Sequence, residues 1–162
     1  MNNEELAKNP TTSSEILKSL ATDEDWYVRS DVAYNLNTPP EALDLLANNV
    51  SSGVRRNVAQ NPNTPPETLD LLANDEDLWV RCGVATNPNT PPKTLARLAN
   101  DKFWIVRSDV AENPNTSPET LERLANDNNW KVRYLLANVP NTPQYIKTYL
   151  KVRQFLRCHT RD

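Results

Sequence analysis

Two cysteines, a single histidine and a generous supply of carboxylates are the residues that could do chemistry here. Cys82 and Cys158 lie far apart and form no Cys-x-x-Cys spacing, so neither a zinc site nor a disulfide framework is implied, and a reducing compartment fits best. A helical wheel turns Cys82 outward, where it is open to oxidation, but no basic neighbour marks it as a lowered-pKa thiol. His159, near the C-terminus, has no base or ligand cluster around it. The glycines are only Gly53 and Gly83, so neither a dinucleotide fingerprint nor a phosphate loop can be written. The carboxylates recur periodically, as helix starts and solvated faces do. The expectation is a non-enzyme with no catalytic, metal-binding or cofactor-binding residue.

The elements that carry the remaining polar and aromatic residues announce themselves by period. Val28-Arg29, Val54-Arg55, Val80-Arg81, Val106-Arg107 and Val132-Arg133 follow one another at intervals of 26 residues. Ala33, Ala59, Ala85, Ala111 and Ala137 keep the same interval, as do Leu20, Leu46, Leu72, Leu98, Leu124 and Leu150. One unit, Asn61 to Thr86, reads NPNTPPETLDLLANDEDLWVRCGVAT and holds two helical signals. Thr64 before Pro65 and Pro66 makes a helix start, with the threonine expected to cap the free amides. Leu69, Leu72 and Ala73 then give i, i+3, i+4 apolar spacing. Asp75-Glu76-Asp77 opens a second helix by offering carboxylates to its amides, Val80, Val84 and Ala85 face inward, and Asn87-Pro88 stops it. Stacked units bury only their seams, which suits a chain that is 38% apolar and argues for an elongated shape.

These residues resemble the leucine-rich repeat variant family, whose units read VRxxVAxNPxTPPxxLxxLAxD, over about residues 6–150. The expected architecture is all-α: a solenoid of about six 26-residue, two-helix repeats forming a single elongated domain over residues 1–150, with residues 151–162 continuing a capping helix into a basic tail. The resemblance implies a right-handed superhelix in which α-helices alternate with short 3₁₀ segments. Some relatives carry a cysteine-bound iron-sulfur cluster ahead of the repeats. With no cysteine before Cys82, that cofactor is not carried over.

Charge narrows the partners. Residues 1–146 hold 13 Lys or Arg against 20 Asp or Glu, and residues 147–162 hold five against one. An acidic body does not track phosphate backbones along its length. The N-terminal residues lack a basic segment followed by an apolar stretch, and no run of apolar residues is long enough for a membrane span. A cytoplasmic protein with no membrane partner is therefore the expectation.

Arg29, Arg55, Arg81, Arg107 and Arg133 lie inside the apolar arc of the second helix, which favours bonds across seams over an anion-binding ladder. Asn35, Asn61, Asn87 and Asn113 are expected to close turns on their own backbone. Trp26, Trp104 and Trp130 are expected at the seam edge, with Leu78 filling the same core slot. The wheel turns four positions outward, those of residues 27, 30, 31 and 34 and their equivalents. Tyr27, Tyr34, Trp79, Ile105 and Tyr134 are the aromatic and apolar residues on these columns selected as protein contacts, with Trp79 beside Tyr27 and Ile105. Asp31, Asp109 and Glu112 would favour basic groups on the partner. Two other readings stand: nucleic-acid binding through Arg56, Lys147, Lys151, Arg153, Arg157 and Arg161, and self-assembly. The second repeat, with Asn49-Val50-Ser51-Ser52-Gly53 where others have acidic residues and tryptophan, should exchange its amides fastest among the internal units. Residues 144–157 read as a longer terminal helix covering the last seam with Tyr145, Ile146, Tyr149, Leu150, Phe155 and Leu156.

Overall fold

The structure, a computed structural model, describes residues 2–159, with side chains as far as Phe155. The roles expected for Leu156, Arg157, Cys158, His159 and Arg161 lie outside the described side chains. Among the described residues every helix is α and no strand occurs. The chain falls into two compact units. Unit 1, Met1–Pro91, holds α1 (Asn3–Lys8), α2 (Ser14–Leu20), α3 (Trp26–Tyr34), α4 (Pro40–Leu46), α5 (Ser52–Gln60), α6 (Pro66–Leu72) and α7 (Leu78–Thr86). Unit 2, Pro92–Asp162, holds α8 (Pro92–Leu98), α9 (Trp104–Glu112), α10 (Pro118–Leu124), α11 (Trp130–Asn138) and α12 (Gln144–His159).

Within both units, seven-residue first helices alternate with nine-residue second helices. The 3₁₀ segments that the resemblance implies are absent among the described residues. α4 shows the reason. Leu43 N–H reaches the Pro39 carbonyl at 3.2 Å and Ala47 N–H reaches the Leu43 carbonyl at 2.9 Å, both in the four-residue step of an α-helix. Three-residue steps occur at the two ends, Ala42 N–H on the same Pro39 carbonyl at 3.0 Å and Asn49 N–H on the Leu46 carbonyl at 3.0 Å.

The first helices start on proline because a missing N–H costs nothing in the first turn. Pro40 and Pro66 take that place, preceded by Pro39 and Pro65, which offer no side-chain cap. Where serine replaces the earlier proline it does cap: Ser13 accepts from Ile16 N–H and Ser117 from Thr120 N–H. The threonine expected to cap does something else. Thr38, Thr64, Thr90 and Thr116 are buried and donate backwards to the carbonyls of Val32, Val58, Val84 and Val110, closing the end of the preceding second helix. The N-cap place falls to the residue after the threonine, proline or serine, so the threonine hydroxyl is left to the old helix, as it is also at Thr12, which donates to the Leu6 carbonyl with Ser13 following.

The second helices start on Asp25, Asp77 and Asn129, which accept from the amides of Tyr27, Trp79 and Lys131. Ser51 and Phe103, in the same column, make no such cap. In unit 1 the core is made by Leu17, Leu43, Leu46, Leu69 and Leu72 from first helices and Val32, Val54, Val58 and Val80 from second helices. Each such leucine removed from water is worth roughly 2 kcal/mol. Unit 2 repeats the scheme with Leu95, Leu98, Leu121, Leu124, Val106, Val110 and Val132.

Second helices stack directly on one another: α1, α3, α5 and α7 in unit 1, and α9 and α11 in unit 2. Gly83 marks how close they come. A methyl group there would lie 2.9 Å from Ala59 Cβ and 3.3 Å from the Arg56 carbonyl oxygen. In α12, Ile146 and Leu150 are buried, while Tyr145, Tyr149 and Phe155 stay exposed. The tyrosines cover the seam by their hydroxyls instead, which donate to Glu122 Oε1 and Asn126 Oδ1.

Candidate functional site

The arginine ladder is built into the seams. In every repeat where its bonds are described, Nη1 donates to two loop carbonyls five and six residues earlier: Arg29 to Asp23 and Glu24, Arg55 to Asn49 and Val50, Arg81 to Asp75 and Glu76, Arg107 to Asp101 and Lys102, Arg133 to Asp127 and Asn128. Arg55 and Arg107 also take a carboxylate from the next repeat. Arg55 Nε and Nη2 donate to Asp75 at 2.6 and 2.9 Å, and Arg107 donates to Asp127 at 2.6 and 2.8 Å. Hydrogen bonding to these aspartates raises both arginine pKa values further. Burial alone would raise the Asp127 carboxyl. The Arg107 guanidinium, the Asn129 N–H and the charge of Arg133 outweigh it and hold Asp127 below its ordinary value.

The asparagine ladder closes turns and does more. Oδ1 of Asn35, Asn61 and Asn87 accepts the N–H two residues on, as expected. Nδ2 reaches back across the seam: Asn61 donates to the Ala33 and Asn35 carbonyls at 2.9 and 3.0 Å, and Asn87 to those of Ala59 and Asn61 at 2.8 and 2.9 Å. A second ladder, unforeseen, runs beside it, with Asn37 on Pro10 and Asn63 on Leu36. Both ladders are spent on backbone and leave no amide groove.

The columns that remain open are fewer than a wheel suggests. A wheel describes one helix, but a stacked helix has a neighbour on each flank, and those flanks are the columns of residues 30 and 31. Cys82, expected outward, is buried; Ser108 is buried in unit 2, where α9 and α11 stack, and in unit 1 Asn57 bonds the Ser30 carbonyl and hydroxyl oxygens at 3.1 and 3.0 Å. Asp31 is engaged too, with Lys8 at 3.7 Å; burial lifts its carboxyl above the ordinary range against that pull.

The columns of residues 27 and 34 stay open. Tyr27 is 58% exposed, Tyr34 74% and Trp79 50%, while Ile105 is half-buried. Tyr134, in the column of residue 30, is 60% exposed; among the described residues no second helix stacks on that flank of α11. The partners of Trp79 differ from expectation. Arg56 lies 5.7 Å from its ring centroid, and Tyr27 stacks instead on Trp26 at 3.9 Å. Gly53 occupies the column between Tyr27 and Trp79 and supplies no ring to join them. Leu78 is only half-buried. Of the tryptophans expected at the seam edge, Trp104 is half-buried with Lys131 Nζ 4.5 Å from its centroid, whereas Trp26 and Trp130 are exposed.

A family model described as "Leucine rich repeat variant" matches residues 53–77, and one described as "Leucine Rich Repeat Variant domain" matches residues 83–140, together more than half of the chain. The chain belongs to the leucine-rich repeat variant family. A solved structure titled as a leucine-rich repeat variant with a novel repetitive protein structural motif is 29% identical, with a TM-score of 0.64 over 80% of this chain and 52% of that one. This chain thus spans about half the length of that relative. The crystal structure of an engineered protein is 17% identical with a TM-score of 0.49, over 90% of this chain and 89% of the other, too low to carry an argument. No curated protein matches.

The surface of this leucine-rich repeat variant chain contains features its periodicity did not single out. In unit 1, Tyr34 joins Leu36, Asn57, Gln60 and Pro62 around a cavity of about 150 Å³. Leu36 is 66% exposed and stands where the next repeat has Pro62, a departure visible in the sequence. In unit 2 a larger cavity lies between α11 and α12. Among the described residues, no group of three or more His, Cys, Asp or Glu could hold a metal ion, and no helix is long and apolar enough to cross a membrane.

Proposed function

We propose that the chain is a non-enzymatic binding module that holds a protein or peptide on its second-helix surface, with Tyr27, Tyr34 and Trp79 as contacts in unit 1 and Ile105 and Tyr134 in unit 2. One observation carries this reading. The columns of residues 30 and 31 are half-buried or buried at most of their positions, Arg56 and Tyr134 excepted, and the open columns of residues 27 and 34 present large aromatic rings at Tyr27, Tyr34 and Trp79 in unit 1. Exposed aromatic rings are the anchors that dominate many protein interfaces. The periodic polar residues are spent on seams, so recognition falls to the residues that differ between repeats. A cytoplasmic location, expected from the cysteine usage, goes with this proposal.

The nucleic-acid reading loses support from the same geometry. Lys147 donates to the Pro140 carbonyl, and Arg56 lies over Trp79. The test is capture of partners by the whole chain, followed by titration of each purified partner against the wild type, Trp79→Ala and Tyr34→Ala. Each substitution is expected to weaken binding by about tenfold or more, the usual scale for an anchoring aromatic. Unchanged affinity for every partner in both variants would refute the proposal.

A further inference from the structure

The carboxylate column of the arginine ladder changes sign at the last repeat. Arg107 is held by Asp127; the residue one interval after Asp127 is Arg153. α12 also runs on past the point where the other first helices stop, so it lies along α11 and encloses with it a cavity of about 350 Å³. Trp130, Tyr134 and Leu150 form its apolar lining and Arg133, Lys151 and Arg153 its charged lining, with no Asp or Glu among the described residues that line it. The guanidinium groups are held in place. Arg133 Nη1 donates to the Asp127 and Asn128 carbonyls, and Arg153 Nη1 donates to the Ala125 carbonyl and Asn126 Oδ1, both at 3.1 Å. Trp130 and Tyr134 meet edge to face at 6.3 Å and are 62% and 60% exposed.

We propose that this cavity takes an acidic segment of a partner polypeptide, seating a carboxylate among Arg133, Lys151 and Arg153 and an adjoining apolar side chain against Trp130 and Tyr134. The inference rests on the protein-binding reading and gives the partner's chemistry for unit 2. Two features favour a peptide. Guanidinium groups on this ladder already bind aspartate through paired bonds at Arg55 and Arg107, so the partner would supply what Asp75 and Asp127 supply internally. A nucleic-acid strand needs a continuous track of cations, whereas residues 1–146 are acidic, with 13 Lys or Arg against 20 Asp or Glu.

The test titrates the whole chain with the peptide acetyl-Asp-Phe-Glu-Asp-amide and its neutral counterpart acetyl-Asn-Phe-Gln-Asn-amide, followed by calorimetry. The acidic peptide is expected to bind at least tenfold tighter than the neutral one. Arg153→Asp, which puts back the residue type of the column, is expected to weaken the acidic peptide at least tenfold. Arg153→Gln, expected to weaken it severalfold, keeps the test in force should the reversed charge disturb folding, which circular dichroism monitors. Equal binding of the two peptides overturns the proposal, as does unchanged affinity in both Arg153 variants. So does tighter binding of a single-stranded oligonucleotide, or a dimer on dilution that Arg153→Asp dissociates, which would make the occupant a second copy. Trp79→Ala reports on unit 1: a null result there with the peptide effect intact sinks the wider surface and spares this site.

Discussion

The seam that joins Arg55 to Asp75 and the seam that should join Arg29 to residue 49 use the same arginine in the same column and end differently. Both guanidinium groups cap loop carbonyls through Nη1. Only Arg55 goes on to a paired bond with a carboxylate. At the corresponding place beyond Arg29 stands Asn49, whose Oδ1 is turned to the Ser51 N–H, and Arg29 Nε is buried without a partner. The difference separates two jobs that the periodic arginine performs. Capping its own loop is common to all the repeats described; tying one repeat to the next depends on what the column offers, which is an acid at Asp75, Asp101 and Asp127, an amide at Asn49 and a cation at Arg153. The first job stabilises a turn, the second a seam, and a seam without its acid is where the molecule is weak or open to a partner.

The largest expected effect comes from making the strong seam like the weak one. Asp75→Asn should cost about 2 kcal/mol, since the pair is 13% and 8% exposed, mostly shielded from the solvent screening that weakens surface pairs. Urea denaturation of the two proteins measures it, and a loss below a few tenths of a kcal/mol would mean that the seam does not depend on the pair. Acid sharpens the comparison at Asp127. Its carboxyl titrates below the unfolded value near about 4, so its stabilisation is fully present above that value and is lost as pH falls through the folded value. The stability gap between wild type and Asp127→Asn should therefore stay level from neutral pH down to roughly 5 and close below about 4. A gap that persists in strong acid would assign the effect to packing.

How much of this was legible follows from which relations a linear pattern can express. The helix pairs, the inward valines and leucines and the stop before Asn87-Pro88 are matters of spacing within one unit, and the structure has them where the sequence puts them. The repeat also tells correctly that the arginines serve the seams and that the asparagines close turns, but not that the asparagine Nδ2 groups cross the seams as well. What it could not express is who stands on the far side. Thr64 was given to the helix it precedes in sequence, and it serves the one behind. Ser108 lies outward on the wheel of a single helix and is buried where α11 stacks on α9, and Cys82 in the same column is buried too. Trp79 was placed with the next rings along its column, but the glycine between repeats breaks that row and a long arginine from the adjacent column covers the ring. The unpartnered Arg29 Nε was readable in principle, because Asn49 departs from an acidic column, yet its meaning needed the pairing seen at Asp75.

The converse substitution is expected to be smaller. Asn49→Asp should gain about 1 kcal/mol by giving Arg29 Nε the carboxylate that Arg55 has. The Ser51 N–H that Asn49 holds is no obstacle, since Asp75 Oδ1 takes both the Asp77 N–H and Arg55 Nη2. A newly buried carboxylate gives up hydration that the bond must offset, however, which keeps the gain below the loss at Asp75. Denaturation of the single variant tests the idea, and the double variant with Arg29→Gln should lose the gain. A gain that survives without the guanidinium would place its origin in the loop, leaving the two seams different for some other reason.

The smallest effect lies two residues further along the same weak seam. α5 begins on Ser51, which makes no side-chain cap, whereas α3 and α7 begin on Asp25 and Asp77, which do. Ser51→Asp should add about 0.5 to 1 kcal/mol through a bond to the Gly53 N–H and a favourable charge at the helix start. Hydrogen exchange reads this locally. In the wild type the amides of α5 should exchange faster than those of α3 and α7, because the uncapped start at Ser51 and the Asn49 that leaves Arg29 without a carboxylate both lie in the loop that leads into α5, and local opening costs least where such bonds are missing. Ser51→Asp should slow the first turn of α5 and leave α3 and α7 unchanged, while Asn49→Asp should slow α5 and the loop together. Equal protection of the three helices in the wild type would show that opening is governed by the shared stack of second helices, and the contrast between the two seams would then matter for binding but not for stability.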